Sequence, residues 1–401
     1  MKTETITVVK ATVPAIQASG EAITQHFYRL LFAEHPELQH VFNMASQASG
    51  RQQSTLAAAI LGYAAHIDNL SALGGTVEKI AAKHFSLDIT PAQYDIVGRN
   101  LLRAIREVLG AEVATDTVLT AWAEAYQKLA DILIGREEQL YAEAKAEGWK
   151  GFKAFKVDRI VDESDEIRSF YLRLLDGKPL PEYRPGQFLS IKIASPDWQY
   201  EEIRQYSLSD SPRAEGYRIS VKREPAAEEG VPAGRVSNYL HDHLKLGGQL
   251  AVHMPGGDFF LKHNDRPVVL ISGGVGVTPM ISMLNDLLLK NDSRDIVWLQ
   301  GARNRQSHAF AQHIGCLKQD YPKLTAVTFY DDPSAAKQGR DYDHQGYITR
   351  EWLAHYCPAD AEFYFCGPLA FMRAIYRQLK GLGVDDAQLN YEVFGPSESL
   401  G

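Results

Sequence analysis

Hydrophobic spacing changes period near residue 150, and that change restricts the fold more than any other feature of the chain. Before it, apolar residues recur at intervals of three and four: Leu56, Ile60, Tyr63, Ala64 and Ile67 form one stripe, and Tyr94, Val97, Leu101 and Ile105 another. A period near 3.6 puts each set on one face of an α-helix. Thr90-Pro91-Ala92-Gln93 supplies a helix start, with Thr90 as N-cap, Pro91 in the first helical position and Gln93 closing a capping box, so Tyr94 points inward. About six or seven helices without strand patterns predict a bundle or a globin-like packing.

From Phe152 onward the period falls to two. Phe170, Leu172 and Leu174 alternate with Ser169, Tyr171 and Arg173, and Leu189, Ile191 and Ile193 alternate with Ser190 and Lys192. Turn residues at Asp176-Gly177 and Arg184-Pro185-Gly186-Gln187 separate short strands, which predicts a small antiparallel β-barrel. Beyond Arg266, strands at 268–272, 295–299, 326–330, 362–365 and 388–391 alternate with helices such as 280–289, the pattern of a doubly wound parallel sheet. A chain of 401 residues exceeds what one core supports. The expected architecture is therefore multidomain: an all-α domain over 1–147, an antiparallel β-barrel over 152–263 and an α/β domain over 266–401. Residues 142–149 read as a fraying charged helix and Gly148-Trp149-Lys150-Gly151 as a linker.

A net charge of −8 lacks the basic footprint of a sequence-independent nucleic-acid binder, so small ligands are the expected partners. The three cysteines, Cys316, Cys357 and Cys366, form neither a disulfide framework nor a C-x-x-C pair, which suits a reducing cytosol. Residues 1–20 lack a signal-peptide layout and no apolar run reaches membrane-spanning length, so a cytoplasmic protein without integral membrane association is expected, and a monomer.

Arg204-Gln205-Tyr206-Ser207 suits a flavin: the arginine can meet a pyrophosphate, the ring can lie on a flat heterocycle, and the Ser207 hydroxyl can bond a flavin edge. These four residues alone also fit an exposed strand. With Arg184-Pro185-Gly186-Gln187-Phe188, Gly234-Arg235-Val236-Ser237-Asn238 and Pro255-Gly256-Gly257-Asp258-Phe259, they stand in the order seen in ferredoxin-reductase-like FAD domains, a resemblance that makes FAD the expected cofactor. Ser237 falls at a strand-to-helix junction, where free amides and a hydroxyl suit a pyrophosphate. Residues 225–233 read as a surface insertion.

The turn Gly273-Gly274-Val275-Gly276-Val277-Thr278-Pro279 has Pro279 where the dehydrogenase fingerprint has its third glycine, and it resembles the pyridine-nucleotide turn of ferredoxin reductases. Close backbone approach to a phosphate is its expected purpose. In the same resemblance Cys366-Gly367 borders the nicotinamide, and Glu392-Val393-Phe394-Gly395-Pro396 brings the Phe394 ring over the flavin. Val393 stands where many relatives carry cysteine, a change that bears on the flavin's potential or the hydride geometry. No base is identifiable near Cys366, so a small residue beside the nicotinamide is expected there rather than a nucleophile.

Among the helical region's histidines, His26, His35, His40, His66 and His84, only His84 continues an apolar stripe, Val77-Ile80-Ala81-His84. An imidazole there can ligate iron from inside a pocket. Periodicity also fits a core histidine bonded to a backbone carbonyl. Phe27-Tyr28, Val41-Phe42-Asn43-Met44, Gln52 with Leu56, the run from Val77 to His84, Tyr94-Asp95-Ile96-Val97-Gly98 and Arg136-Glu137 resemble, in order, the globin domain of flavohaemoglobins. The resemblance spans essentially the whole chain. It implies that His84 is the proximal ligand of haem b, with Lys83 beside it, and that Phe42 packs on the porphyrin. It puts Tyr28 and Gln52 on the distal side, with Leu56 narrowing the pocket. It pairs His84 with Tyr94 and Glu137; read from sequence alone, Glu137 is a solvated helix charge.

The reaction implied is nitric oxide dioxygenation, in which NO and O2 become nitrate with electrons passed from NADH or NADPH through FAD to haem. Two other readings are a globin-coupled redox or oxygen sensor and a flavin reductase with an unrelated helical N-domain. Arg303, after the second strand of the last region, either meets a 2′-phosphate or is exposed, which leaves NADH and NADPH both open.

Overall fold

The computed structural model describes residues 1–226, 232–395 and 400. Contacts divide the chain into two compact units, Met1–Phe152 with Ser190–Arg204, and Lys153–Leu189 with Gln205–Gly401. The first contains helices α1 (Thr3–Glu34), α2 (Met44–Ala48), α3 (Arg51–Ala65), α4 (Gly74–Phe85), α5 (Pro91–Leu109) and α6 (Asp116–Ala146). Helix α1 packs on α3, α5 and α6, while α4 packs on α6. Ile23, Phe27 and Leu31 recur every four residues on α1 and are all but fully buried. Each such side chain contributes roughly 1.5–3 kcal/mol by leaving water.

The expected start of α5 is present: the Thr90 N–H donates to Gln93 Oε1 at 2.7 Å. Gly98 on this helix lets α6 approach closely, because a Cβ there would lie 2.5 Å from the Tyr126 ring. Tyr126 in turn donates its hydroxyl to the Tyr94 carbonyl at 2.6 Å.

The end of α6 departs from the expected fraying linker. Gly148 takes φ 67°, its N–H reaches the Lys145 carbonyl at 3.0 Å, and the Trp149 N–H reaches the Ala144 carbonyl at 2.8 Å. This is a Schellman closure, which satisfies carbonyls the helix would otherwise leave open. Trp149 is buried, and its Nε1 donates to the Gly151 carbonyl. Burial of the indole holds a segment whose composition alone suggests a flexible connection.

Strands β1 (Phe152–Asp162), β2 (Ile167–Leu174), β3 (Phe188–Ile193), β4 (Glu202–Ser207), β5 (Tyr217–Lys222) and β6 (Gln249–His253), with helix α7 (Arg235–His243) before β6, form a sheet of order β4-β3-β6-β1-β2-β5. An antiparallel bridge between Leu208 and Ile219 and the bond from the Ser209 N–H to the Arg218 carbonyl return the sheet's two ends to each other, as a barrel requires. Phe170, Leu172 and Leu174 face inward as expected, but Ser169 and Ser190 are buried too. Ser169 is tolerated because its Oγ lies 2.7 Å from Ser220 Oγ, itself 2.7 Å from Ser209 Oγ, so the hydroxyls satisfy one another.

The last region has β7 (Val268–Gly273), α8 (Val277–Leu289), β8 (Ile296–Ala302), α9 (Ala311–Asp320), β9 (Leu324–Tyr330), β10 (His344–Gln345), α10 (Arg350–Tyr356), β11 (Glu362–Cys366), α11 (Leu369–Gly381) and β12 (Leu389–Glu392). Its parallel sheet runs β10-β9-β8-β7-β11-β12. Val268 and Leu270 pack with Met280 and Met283 of α8, and Val269 and Ile271 pack with Met372 and Ile375 of α11. Both faces of β7 are thus covered, which is why it reads as an unbroken apolar run. Strand order reverses between β7 and β11, the place where such sheets bind ligands. The two-residue β10 is too short for any periodicity to announce it.

Candidate functional site

Helix α4 delivers His84 from the stripe expected for it, with 31% of its side chain accessible. Its Nδ1 lies 2.7 Å from the Tyr94 hydroxyl and 2.9 Å from Glu137 Oε1, and the Tyr94 hydroxyl bonds the same carboxylate oxygen. A carboxylate can only accept, so Tyr94 donates to it and its oxygen is left to accept; Nδ1 must then carry the proton. Nε2 of a neutral ring is consequently the atom with a free lone pair, the arrangement a metal needs. Glu137 is 2% exposed, which rules out the solvated charge that its sequence context suggested. Burial first, and the Glu137 carboxylate second, push the Tyr94 pKa far above that of a free phenol.

Tyr28 is buried on α1, stacked on Phe32 at 5.8 Å and edge-on to Phe27 and Phe42 at 4.8 and 5.7 Å. Burial raises its phenol pKa, and the side chains of Gln47 and Gln52 partly offset that rise. Phe42 and Leu56 line the same apolar cluster, whereas Tyr94, Val77 and Ile80 belong to another. Gln52 Oε1 is buried without a hydrogen-bond partner among the described residues. An anchored imidazole, two apolar clusters and unpaired amide atoms beside a phenol fit a haem. Lys83 is exposed on α4.

Of the residues expected to hold flavin, Ser207 has a buried Oγ with no partner among the described residues, as a hydroxyl awaiting a heterocycle edge would. Gln205 and Tyr206 are half-buried beside it on β4. Phe188 pairs with Gly256, and a Cβ on Gly257 would stand 2.9 Å from its ring, so these glycines make room for the aromatic. Two other expectations fare differently. Arg204 makes an ion pair with Glu202 at 2.8 Å and donates to Asn43 Oδ1 at 3.0 Å, the same oxygen that caps α2 by accepting from the Ser46 N–H. The Ser237 hydroxyl donates to the Gly234 carbonyl and accepts from the Glu224 N–H, so it ties a loop neck instead of standing open. Residues 227–231 of the expected insertion lie outside the described residues. Phe394 is 43% exposed and Val393 packs on the parallel sheet's core. Gly395 has φ 137°, and Pro396 lies outside the described residues.

The glycine turn sits at the reversal of strand order. A Cβ on Gly276 would be 2.2 Å from the Cys366 carbonyl oxygen, and one on Gly367 would be 3.1 Å from the Gly273 oxygen. These glycines therefore serve turn-to-turn packing, a use beyond the expected phosphate approach. Gly274 has φ 53° and open space around it. Val275 packs against the sheet core, Val277 is buried, and the Thr278 hydroxyl closes back on the Val275 carbonyl. Burial, then the nearby Glu392 charge, hold the Cys366 thiol well above its ordinary pKa, so it is no thiolate nucleophile. Glu392 pairs in register with Cys366. Arg303 is ion-paired with Glu166.

Residues 25–133 match the globin family, 154–261 the oxidoreductase FAD-binding domain and 270–377 the oxidoreductase NAD-binding domain. The chain is 48% identical to a flavohemoprotein of Burkholderia sp. (strain TH2) over 98% of both chains, and 46% identical to one of Bacillus thuringiensis subsp. konkukian over 99% of both. It belongs to the flavohaemoprotein family. A flavohaemoglobin from Malassezia yamatoensis solved with FAD and haem superposes with a TM-score of 0.85 at 26% identity, covering 98% of this chain and 99% of that one. The FAD/NAD-binding domain of a nitric oxide dioxygenase from Vibrio cholerae is 38% identical, with a TM-score of 0.56, over 62% of this chain and all of that one.

This flavohaemoprotein is an oxidoreductase whose cofactors are haem, FAD and NADH or NADPH, and its globin domain binds dioxygen. No helix among the described residues is long and apolar enough to cross a membrane. Sequence reasoning missed Gln47 and Gln53, whose only signal was a cluster of amides around Gln52 in a run of small and polar residues, and it gave Asn43 no role.

Gly276 yields a direct test. In Gly276→Ala the new Cβ meets a backbone carbonyl that cannot rotate away, so the ends of β7 and β11 must separate. With an overpacking cost of roughly 1–3 kcal/mol, NADH-dependent bleaching of the flavin should slow about 10-fold or more in stopped flow while FAD and haem contents hold. An unchanged rate would mean the turn relaxes without disturbing the nucleotide.

Proposed function

We propose that this flavohaemoprotein is a nitric oxide dioxygenase that turns NO and O2 into nitrate at the expense of NADH or NADPH. A Vibrio cholerae relative described as a nitric oxide dioxygenase supports this reading, and the observation that carries it is the His84 imidazole held at Nδ1 by Tyr94 and the buried Glu137. When bound, FAD converts a hydride pair into single electrons and haem b offers an iron for dioxygen and NO. His84 would hold the iron through Nε2, while Tyr94 and Glu137 keep the proton on Nδ1 and press negative charge toward the ring. Tyr28 would offer its hydroxyl as a donor to a bound ligand in a dry pocket, with Gln52 beside it and Leu56 and Phe42 excluding water. Lys83 stands beside the ligand. Phe188, Arg204 to Ser207, Ser237 and Glu392 to Pro396 serve FAD; Gly273 to Thr278 with Cys366 and Gly367 serve the nicotinamide nucleotide. The three functional domains take residues 1–147, 152–263 and 266–401, in a monomer of the cytoplasm. A sensor would have no use for the nicotinamide turn.

The test is anaerobic and aerobic NO consumption by the haem- and FAD-loaded protein. With NADH and dioxygen, NO should disappear and nitrate accumulate in equal amounts; NO loss independent of dioxygen, or without nitrate, would refute the assignment. In Tyr28→Phe the lost hydrogen bond to a charged acceptor, about 1.5–3 kcal/mol, should raise the dioxygen dissociation rate about 10- to 100-fold and lower turnover at constant haem content. An unchanged dissociation rate would reduce Tyr28 to packing.

A further inference from the structure

Two amide side chains, Gln47 and Gln52, act on the Tyr28 phenol, and a third, Gln53, determines which way one of them points. Gln53 Nε2 lies 3.1 Å from the Gln47 backbone carbonyl oxygen and 3.0 Å from Gln47 Oε1. A carbonyl oxygen only accepts, so Gln53 must present its NH2 group there, and the Gln47 atom facing that same group must be oxygen. Gln47 Nε2 therefore points the other way. It is buried without a hydrogen-bond partner among the described residues, on a side chain only 8% exposed. Such an unmade N–H is unfavourable, and a partner arriving in the pocket would recover the loss. Gln47 and Gln52 both lower the Tyr28 phenol pKa that burial raises, the direction in which a donor facing the phenol oxygen acts.

We propose that Gln47 is a positioning residue of the distal pocket: clamped by Gln53, its Nε2 donates to the Tyr28 oxygen as the phenol proton turns toward the ligand. A donor behind the oxygen polarises the O–H bond in front of it, so the pair binds a partly charged ligand more strongly than the phenol alone. This rests on the haem-pocket reading of Tyr28 given above. In this proposal Gln47 acts through Tyr28 alone, which makes it separable from general loss of packing.

The experiment is a double-mutant cycle between Gln47→Leu and Tyr28→Phe in haem-replete full-length protein, read by dioxygen dissociation and by the C–O stretch of the ferrous carbon monoxide form. Losing one neutral hydrogen bond of about 0.5–1.5 kcal/mol, Gln47→Leu should raise the dissociation rate about 2- to 10-fold. It should also move the C–O stretch to higher frequency, because the field at the ligand becomes less positive. In the Tyr28→Phe background the same substitution should change neither reading. Gln53→Leu, which keeps the amide and frees its clamp, should shift both readings in the same direction by less, and it serves if Gln47→Leu fails to fold. A Gln47→Leu protein with wild-type dissociation and stretch, or one whose full effect persists without the Tyr28 hydroxyl, overturns the proposal while leaving Tyr28's role intact. If Tyr28→Phe itself changes nothing, the pocket reading falls and the proposal falls with it.

Discussion

His84→Ala should leave a folded protein that reduces an artificial acceptor with NADH at the wild-type rate and purifies without stoichiometric haem. The imidazole is held from behind by two groups at hydrogen-bond distance, and those groups orient it without replacing it. Loss of such an orienting partner alone typically costs about 10–100-fold in metal affinity, and loss of the ligand costs more. Alanine also removes the imidazole that meets the buried Glu137 carboxylate, but the Tyr94 hydroxyl still donates to that carboxylate, so the site tolerates the change at some expense in stability. The NADH-to-acceptor rate is the second arm: the nicotinamide turn belongs to the other compact unit, whose core does not include α4. Soret absorbance against flavin absorbance in the purified protein measures the outcome. Full haem content in His84→Ala would move the ligand to a different histidine, and His40 and His26 already have partners in Glu201 and Glu107.

Glu137→Gln should keep the fold and the haem yet lower NO turnover about 10- to 100-fold, the usual range for a group standing behind a metal ligand. The substitution preserves shape, and an amide oxygen can still accept from the Nδ1–H. What it deletes is the negative charge, in a place where burial makes that charge strong. The iron–imidazole stretch of the ferrous protein should fall in frequency as the ring becomes less basic, a change that packing defects do not mimic. Glu138→Gln is the control, since one residue further on points about 100° around the helix and Glu138 is exposed. Equal turnover and equal stretching frequencies in both variants would show that the Glu137 charge is not felt at the ligand.

What the sequence by itself determined about this protein is whatever depends on residues a few positions apart. The Thr90–Gln93 box, the stripes of α3 and α5, the alternation of β2 and β3 and the βα order after Arg266 are all local patterns, set by 3.6- and 2-residue periods. Family resemblance extended that reading to His84, Tyr28, Tyr94 and Glu137. Tertiary structure decided which of two neighbouring glutamates is buried, because the partner of Glu137 is 53 residues away and no window along α6 contains it. It decided likewise that Ser169 meets Ser220 across 51 residues, that Arg204 reaches Asn43 across 161, and that Gly276 must make room for the Cys366 carbonyl. Gln47 is the clearest case. Its hydrogen-bond clamp is only six residues away, but the direction of its free N–H matters solely because α1 brings Tyr28 to it. A hydrogen bond has a fixed reach of about 3 Å, and which distant donors and acceptors fall within that reach is settled by how helices and strands pack, not by how they are spaced along the chain.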